Sequence, residues 1–252
     1  LVIGDAHCQP HVPNHRFEWL GRLLTDIQPD VVVDIGDWWD MESLNTFDRP
    51  GSKSYEGRKY WYDIESGIDA QERVQYQLDT YNRGKKKKYK PRLVRTLGNH
   101  DGGRILRALE DNPKFESMMG LHDLMSAEFG WEEIPYKEVV VIDGVAYSHS
   151  YPSGVMGRPI GGENPARSLL LRQYHTAIAG HNHLLDYCER NDATGRRIQA
   201  MFAGCYFHHE LEWAGPRVNR MYARGLLLLN NVHEGQFDFE WLGMDRVRAK
   251  YG

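Results

Sequence analysis

VVVDIGDWWD, residues 31–40, decides the fold. Val31 to Ile35 is rich in β-branched residues, as a strand buried on both faces requires, and Gly36-Asp37 follows at once, where such a strand ends. The same order recurs on both sides. Upstream, Leu1 to Gly4 reads as a strand, and Asn14 opens a helix whose Phe17, Leu20, Leu23, Leu24 and Ile27 recur at a helical period until Pro29 closes it. Downstream, Leu93 to Leu97 is a further strand. Strand, helix and strand thus alternate through the first half.

The second half changes character. Glu138 to Ile142 and Val145 to Ser148 flank Asp143-Gly144, the strongest short hairpin signal, and strands are expected at Thr176 to Ala179, Ile198 to Ala203 and Gly225 to Asn230. Asn164-Pro165 supplies the N-cap and first residue of a helix through Arg172. The layout is α/β in front and increasingly antiparallel behind, which predicts mixed β-sheets covered by helices.

Composition narrows the class. The chain has 252 residues, 41% hydrophobic and 26% charged, enough for a sizeable core and unlike collagen or a disordered segment. The longest purely apolar run, Leu226 to Leu229, is far short of the roughly 18–20 residues that cross a bilayer, so no membrane association is expected. Cys8, Cys188 and Cys205 form no CxxC pair and are odd in number, which argues against a disulfide framework and points to a reducing cytoplasm. A net charge of -4 disfavours a surface that clings everywhere to nucleic acid but allows a local basic patch. No secretory leader pattern opens the chain, and a strand that begins at residue 1 without a methionine implies that residues precede it.

Residues 41–92 break the rhythm. This stretch is dense in tyrosine, contains a helix expected from about Ile64 to Tyr81, and carries the run Lys85 to Lys88. So long an interruption is expected to be an insertion, a cap or arm, in an otherwise single domain spanning 1–252.

Ligand-type residues stand where the strands run out: Asp5 and His7, Asp37, Asn99 and His100, His149, then His181 and His183. In an open α/β sheet the carboxyl ends of strands line the ligand crevice, so these loops are expected to converge. Gathering so many imidazoles and carboxylates without a cation is electrostatically costly, and nitrogen and oxygen donors without thiolates suit divalent metals: manganese first, with iron, zinc, nickel or magnesium as alternatives. That many ligands calls for two ions.

In order, the pieces are DAH (5–7), GDWWD (36–40), GNHD (98–101), His149 and GHNH (180–183). This set resembles the calcineurin-like metallophosphoesterases. The resemblance implies an αββα sandwich of two mixed β-sheets flanked by helices, with Asp5, His7 and His183 on one metal, Asn99, His149 and His181 on the other, and Asp37 bridging them. It also implies that His100 is a catalytic group beside the phosphate, with Asp101 expected to orient its imidazole, and that a hydroxide shared by the metals attacks phosphorus. The long segment before GNHD and Cys8-Gln9-Pro10 after DAH depart from the commonest pattern where substrates are chosen.

Around this set, Arg104, Trp38 and Arg158 are candidate substrate contacts, although Trp38 and Trp39 read more readily as packing and Arg104 equally as a solvated helix charge. Asp40 has two readings, a helix cap or support for a histidine, while His11, His15 and the His208-His209 pair read as surface or loop residues. The loop Tyr151 to Gly162 is a candidate lid. Lysines and aromatics interleaved over 53–90 lean the expected substrate towards phosphodiesters of nucleic acid or nucleotides, or else form a homodimer contact. The alternatives are a phosphomonoesterase or protein phosphatase, and a non-catalytic binding module that keeps the fold.

Overall fold

The computed structural model describes residues 1–48 and 51–252; residues 49 and 50, inside the expected 41–92 insertion, lie outside it. In chain order the elements are β1 (Val2–Ile3), α1 (His15–Ile27), β2 (Val31–Asp34), α2 (Tyr60–Asn82), β3 (Arg92–Thr96), α3 (Arg104–Asp111), β4 (Trp131–Ile134), β5 (Val140–Ile142) and β6 (Val145–Ser148). They continue as α4 (Pro165–Gln173), β7 (Ala177–Ala179), β8 (Leu185–Asn191), β9 (Arg197–Ala203), α5 (Gly215–Asn219), β10 (Gly225–His233), β11 (Gln236–Gly243) and α6 (Met244–Tyr251). The strands form two mixed sheets, ordered β11-β10-β1-β2-β3-β4 and β5-β6-β7-β9-β8. Neighbours from β1 to β4 are parallel, as are β6, β7 and β9, and antiparallel strands close three of the four edges, β4 being the parallel one.

Period-two alternation sorts side chains into layers. Val2, Val33, Val94, Val145, Ile178, Met201 and Leu227 meet in a core between the two sheets. Their neighbours Ile3, Val32 and Leu226 face the other way, onto α1, α2 and α6. In the second sheet Ala146, Ala177, Ala200 and Phe202 pack outward with Leu169 and Leu170 of α4. The result is an α/β sandwich with helices outside both sheets. Helix α1 anchors one side through Phe17, Leu20, Leu23 and Leu24, all buried, each contributing about 1.5–3 kcal/mol.

Part of the expected insertion at 41–92, a cap or arm, packs on the core. Helix α2 begins at Tyr60, four residues before the expected start, and lays Ile64, Ala70, Val74 and Leu78 into the same core as α1, so it belongs to the helical layer. Lys85 to Lys88 follow α2 exposed. They stand beside Tyr89, whose hydroxyl donates to Pro29 O, and near Arg92, whose N–H donates to Asp30 O, at the amino ends of β2 and β3. Asp37 and Asn99 lie past the opposite ends of those strands, so the lysine run does not reach them.

Candidate metal centre

Five loops deliver the expected residues to one place. Asp5 and His7 follow β1, Asp37 and Asp40 follow β2, Asn99 and His100 follow β3, His149 follows β6, and His181 and His183 follow β7. The two sheets are joined at this end: Asp5 bridges to Cys205, Tyr206 N–H donates to Asp5 O at 2.7 Å, and His149 Nδ1 lies 3.0 Å from Ile35 O.

The backbone is bent to aim these side chains. His7, Asp37, His181 and His183 have φ of 44°, 54°, 73° and 57°, the left-handed region that side chains with a Cβ seldom occupy. Such strain persists where surrounding structure over-determines it, and it concentrates at functional sites. Gly98 has no room for a Cβ, which would collide with the Asp37 carboxylate. The Asp37 side chain therefore lies against the loop backbone, where Oδ1 accepts the His100 N–H at 2.7 Å.

The side chains form two linked clusters. In the first, His183 Nε2 is 3.0 Å from Asp5 Oδ2 and 3.1 Å from His7 Nε2. In the second, His149 Nε2 is 3.3 Å from Asp37 Oδ2 and 2.9 Å from Asn99 Oδ1, which is 2.7 Å from His181 Nδ1. His7 Nε2 reaches towards Asp37 Oδ2 at 3.9 Å. Ligand atoms of Asp5, His7 and His183 lie within 4.8 Å of one another, as do those of Asp37, His149 and His181, and of His7, Asp37 and His100. These groups can hold a metal ion.

The donor set fits a cation. His149 Nδ1 faces a carbonyl and so carries the ring proton, which leaves the Nε2 lone pair directed at the oxygens of Asn99 and Asp37, acceptor against acceptor. His7 Nε2 and His183 Nε2 at 3.1 Å share at most one proton. In the metal-free protein extra protons take the cation's place. Burial disfavours charged imidazoles, but Asp40 outweighs it and carries His7 up to about 10, and Asp37 likewise carries His149 up to about 9. Burial, with His149 opposite, lowers His181 to about 4; burial lowers His183 too. Burial also works against ionisation of Asp5, Asp37 and Asp40, yet the facing imidazoles hold all three below the usual carboxylate range.

One expected role changes and another is decided between two readings. Asp101 does not touch the His100 ring: its Oδ1 accepts the N–H groups of Gly98 and Gly102, each at 2.7 Å, and its Oδ2 accepts Trp38 N–H at 3.0 Å. It fastens the turn carrying Asn99 and His100. Asp40 holds the His100 ring instead, with Oδ1 2.6 Å from Nδ1, and the same oxygen lies 3.2 Å from His7 Nδ1. Only one of Asp40's two readings, support for a histidine, therefore agrees with its contacts.

Trp38 is not a substrate contact. It and Trp39 are fully buried, their Nε1 atoms donate to Gly67 O at 3.1 Å and Ile64 O at 3.2 Å, and Arg95 lies over both rings. Arg104 does face the site: its Nη1 donates to Asp40 O at 2.6 Å and Met41 O at 3.1 Å. Arg158 is exposed on the arm of a turn, 152–159, that is pinned next to the GHNH loop because Asn182 Nδ2 donates to Ile160 O at 3.1 Å. His11, His15 and His208 are exposed.

Sequence reasoning missed an aromatic wall. Phe207 stands edge-on to the rings of His7 and His183 at 5.4 and 5.2 Å, and Tyr222 packs against His183 at 4.7 Å. It also missed Gln9, whose Nε2 donates to Asp40 Oδ2 at 2.5 Å. Phe207 and Tyr222 carry no spacing signal, because they reach the site from loops without a motif, and Gln9, although it follows DAH, meets Asp40 only through the fold. No family model matches the chain, and no curated protein matches it.

Proposed function

We propose that the protein hydrolyses phosphate esters at a dinuclear metal centre, in a calcineurin-like αββα fold. The observation that carries this reading is the pair of histidine and carboxylate clusters, linked through His7 and Asp37, at the meeting of five strand-end loops. Asp5, His7 and His183 would hold one divalent cation, Asn99, His149 and His181 the other, and Asp37 both, with manganese the first candidate. Bound cations would supply Lewis acidity, lowering the pKa of a water and neutralising charge on phosphoryl oxygens.

The chain's own residues supply the rest. Asp40 fixes the His100 ring by accepting at Nδ1, which leaves Nε2 as the atom that delivers a proton to the leaving oxygen. His100 is partly exposed, while the ligand side chains around it are mostly buried, so it is the group a substrate meets. Arg104, tied to the Asp40 and Met41 carbonyls, keeps a guanidinium beside the site to balance the carboxylates. Phe207 and Tyr222 shield the histidines from bulk water on one side.

The test is metal loading followed by assay of p-nitrophenyl phosphate and bis-p-nitrophenyl phosphate with each divalent cation. The expected result is two metals per chain and metal-dependent turnover; absence of both refutes the reading. Metal binding without turnover supports the non-catalytic module instead.

A further inference from the structure

A groove of about 480 Å³ opens between the loop from Gln9 to α1 and the first half of α2. Its inner wall is shared with the metal centre, since Gln9 lines the groove and bonds Asp40, which holds the His100 ring. The lining is rich in acceptors. Glu65 and Asp69 present carboxylates, and Arg73 is already paired with Asp69 at 2.9 Å and with Glu18. Asn14, 5% exposed, donates from Nδ2 to Ser66 O at 2.7 Å and Asp69 Oδ2 at 3.0 Å. Both partners are acceptors, so the amide orientation is set, and Oδ1 is left with no donor in the protein. Tyr62 adds a ring that is 44% exposed.

We infer that this groove takes the organic part of the substrate ester: a planar ring bearing amino hydrogens, the chemistry of adenine, cytosine or guanine. A second phosphate is a poor occupant, because it would face two carboxylates with the guanidinium already neutralised. An amino-bearing ring stacks on Tyr62 and gives its N–H groups to the carboxylates of Glu65 and Asp69. The delivery of an attached phosphate to the metals rests on the phosphoesterase reading; the binding of the ring does not.

The experiment measures nucleoside binding to the metal-free full chain by calorimetry, in pairs that differ at the amino group: adenosine and purine riboside, cytidine and uridine, guanosine and inosine. At least one amino-bearing member is expected to bind about tenfold or more tightly than its partner, since carboxylates that accept the substrate's N–H groups reject the analogue lacking the donor. Tyr62→Ala and Glu65→Gln are each expected to weaken that binding about tenfold. In the manganese-loaded protein, Tyr62→Ala should raise KM for the matching nucleoside 5′-p-nitrophenyl phosphate. Equal affinities within every pair, or no saturable binding, overturn the inference even if simple esters are hydrolysed. Binding with the expected preference but no ester hydrolysis upholds the groove and removes the phosphoesterase reading.

Discussion

Replacing Arg95 with methionine tests why two tryptophans beside the site are buried. Arg95 and Asp34 have no exposed surface, and Arg95 Nε lies 2.5 Å from Asp34 Oδ2. Nη1 donates to Gln71 Oε1 at 2.9 Å and Ser126 Oγ at 3.2 Å, and the guanidinium carbon sits 4.6, 4.9 and 4.5 Å from the ring centroids of Trp38, Trp39 and Trp131. Methionine keeps much of the stem and deletes the charge. Asp34 then retains one hydrogen bond among the described residues, from Gly36 N–H at 3.2 Å. Breaking a buried pair by removing one partner costs about 3–5 kcal/mol, and the lost cation–π contacts add about 1–2 kcal/mol. Against a typical stability of about 5–15 kcal/mol, this is a large share.

The loss should depend on pH. Burial already raises the Asp34 carboxyl above the usual range, against the pull of Arg95, and without Arg95 the rise is larger. A carboxyl whose folded pKa exceeds its unfolded value binds protons more readily when folded. Stability therefore falls as pH climbs from the unfolded value through the folded one, and Arg95→Met should be more damaging near about pH 8 than about pH 5. Urea unfolding followed by far-UV circular dichroism measures this for Arg95→Met, Asp34→Asn and the double variant. The double variant is expected to be more stable than Arg95→Met alone, because an amide needs no counter-ion. A loss below about 1 kcal/mol for Arg95→Met, the range of an exposed pair, or additive losses in the double variant, refutes the cage as a buried ion-pair device.

Three further outcomes follow from the site. His100→Ala is expected to slow turnover about 100-fold or more while metal analysis shows both ions retained, whereas Asp37→Asn should lower occupancy of both sites together; loss of metal from His100→Ala would make His100 a ligand. His7 and His149, raised to about 10 and about 9, are protonated at neutral pH in the metal-free protein, so manganese loading should release protons and tighten as pH rises towards those values; pH-independent affinity measured by calorimetry would contradict this. Gly67→Ala drives a methyl into the Trp39 indole, which should destabilise by about 1–3 kcal/mol in thermal melts; an unchanged melting temperature would show that α2 shifts freely.

The positions of the clustered histidines and acids were legible because such residues recur after apolar strands, and strand direction then brings successive loops to one end. The hairpin at Asp143-Gly144 was equally plain, since both residues take the positive φ of 49° and 81° that such a turn demands. Three strands were missed. Leu185–Asn191 is a polar edge strand, Trp131–Ile134 is short and half acidic, and Gln236–Gly243 mixes apolar and charged residues on a half-exposed edge. Local pattern fails there because the pairing partner, not the residue's own burial, makes the strand.

What the residue order determined by itself was the alternation of strands and helices and the identity of the polar groups at the strand ends, because periodicity and side-chain chemistry are local properties. Only the tertiary structure decided which acid serves which neighbour. Asp40 and Asp101 occupy turns that read alike, yet one meets two imidazoles and the other meets backbone N–H groups, because the pleat and the left-handed residues Asp37 and Met41 set the direction of each side chain. Packing likewise turned Trp38 inward onto Arg95 and α2 into the helical layer, since burial depends on what lies opposite in space and not on what is adjacent along the chain.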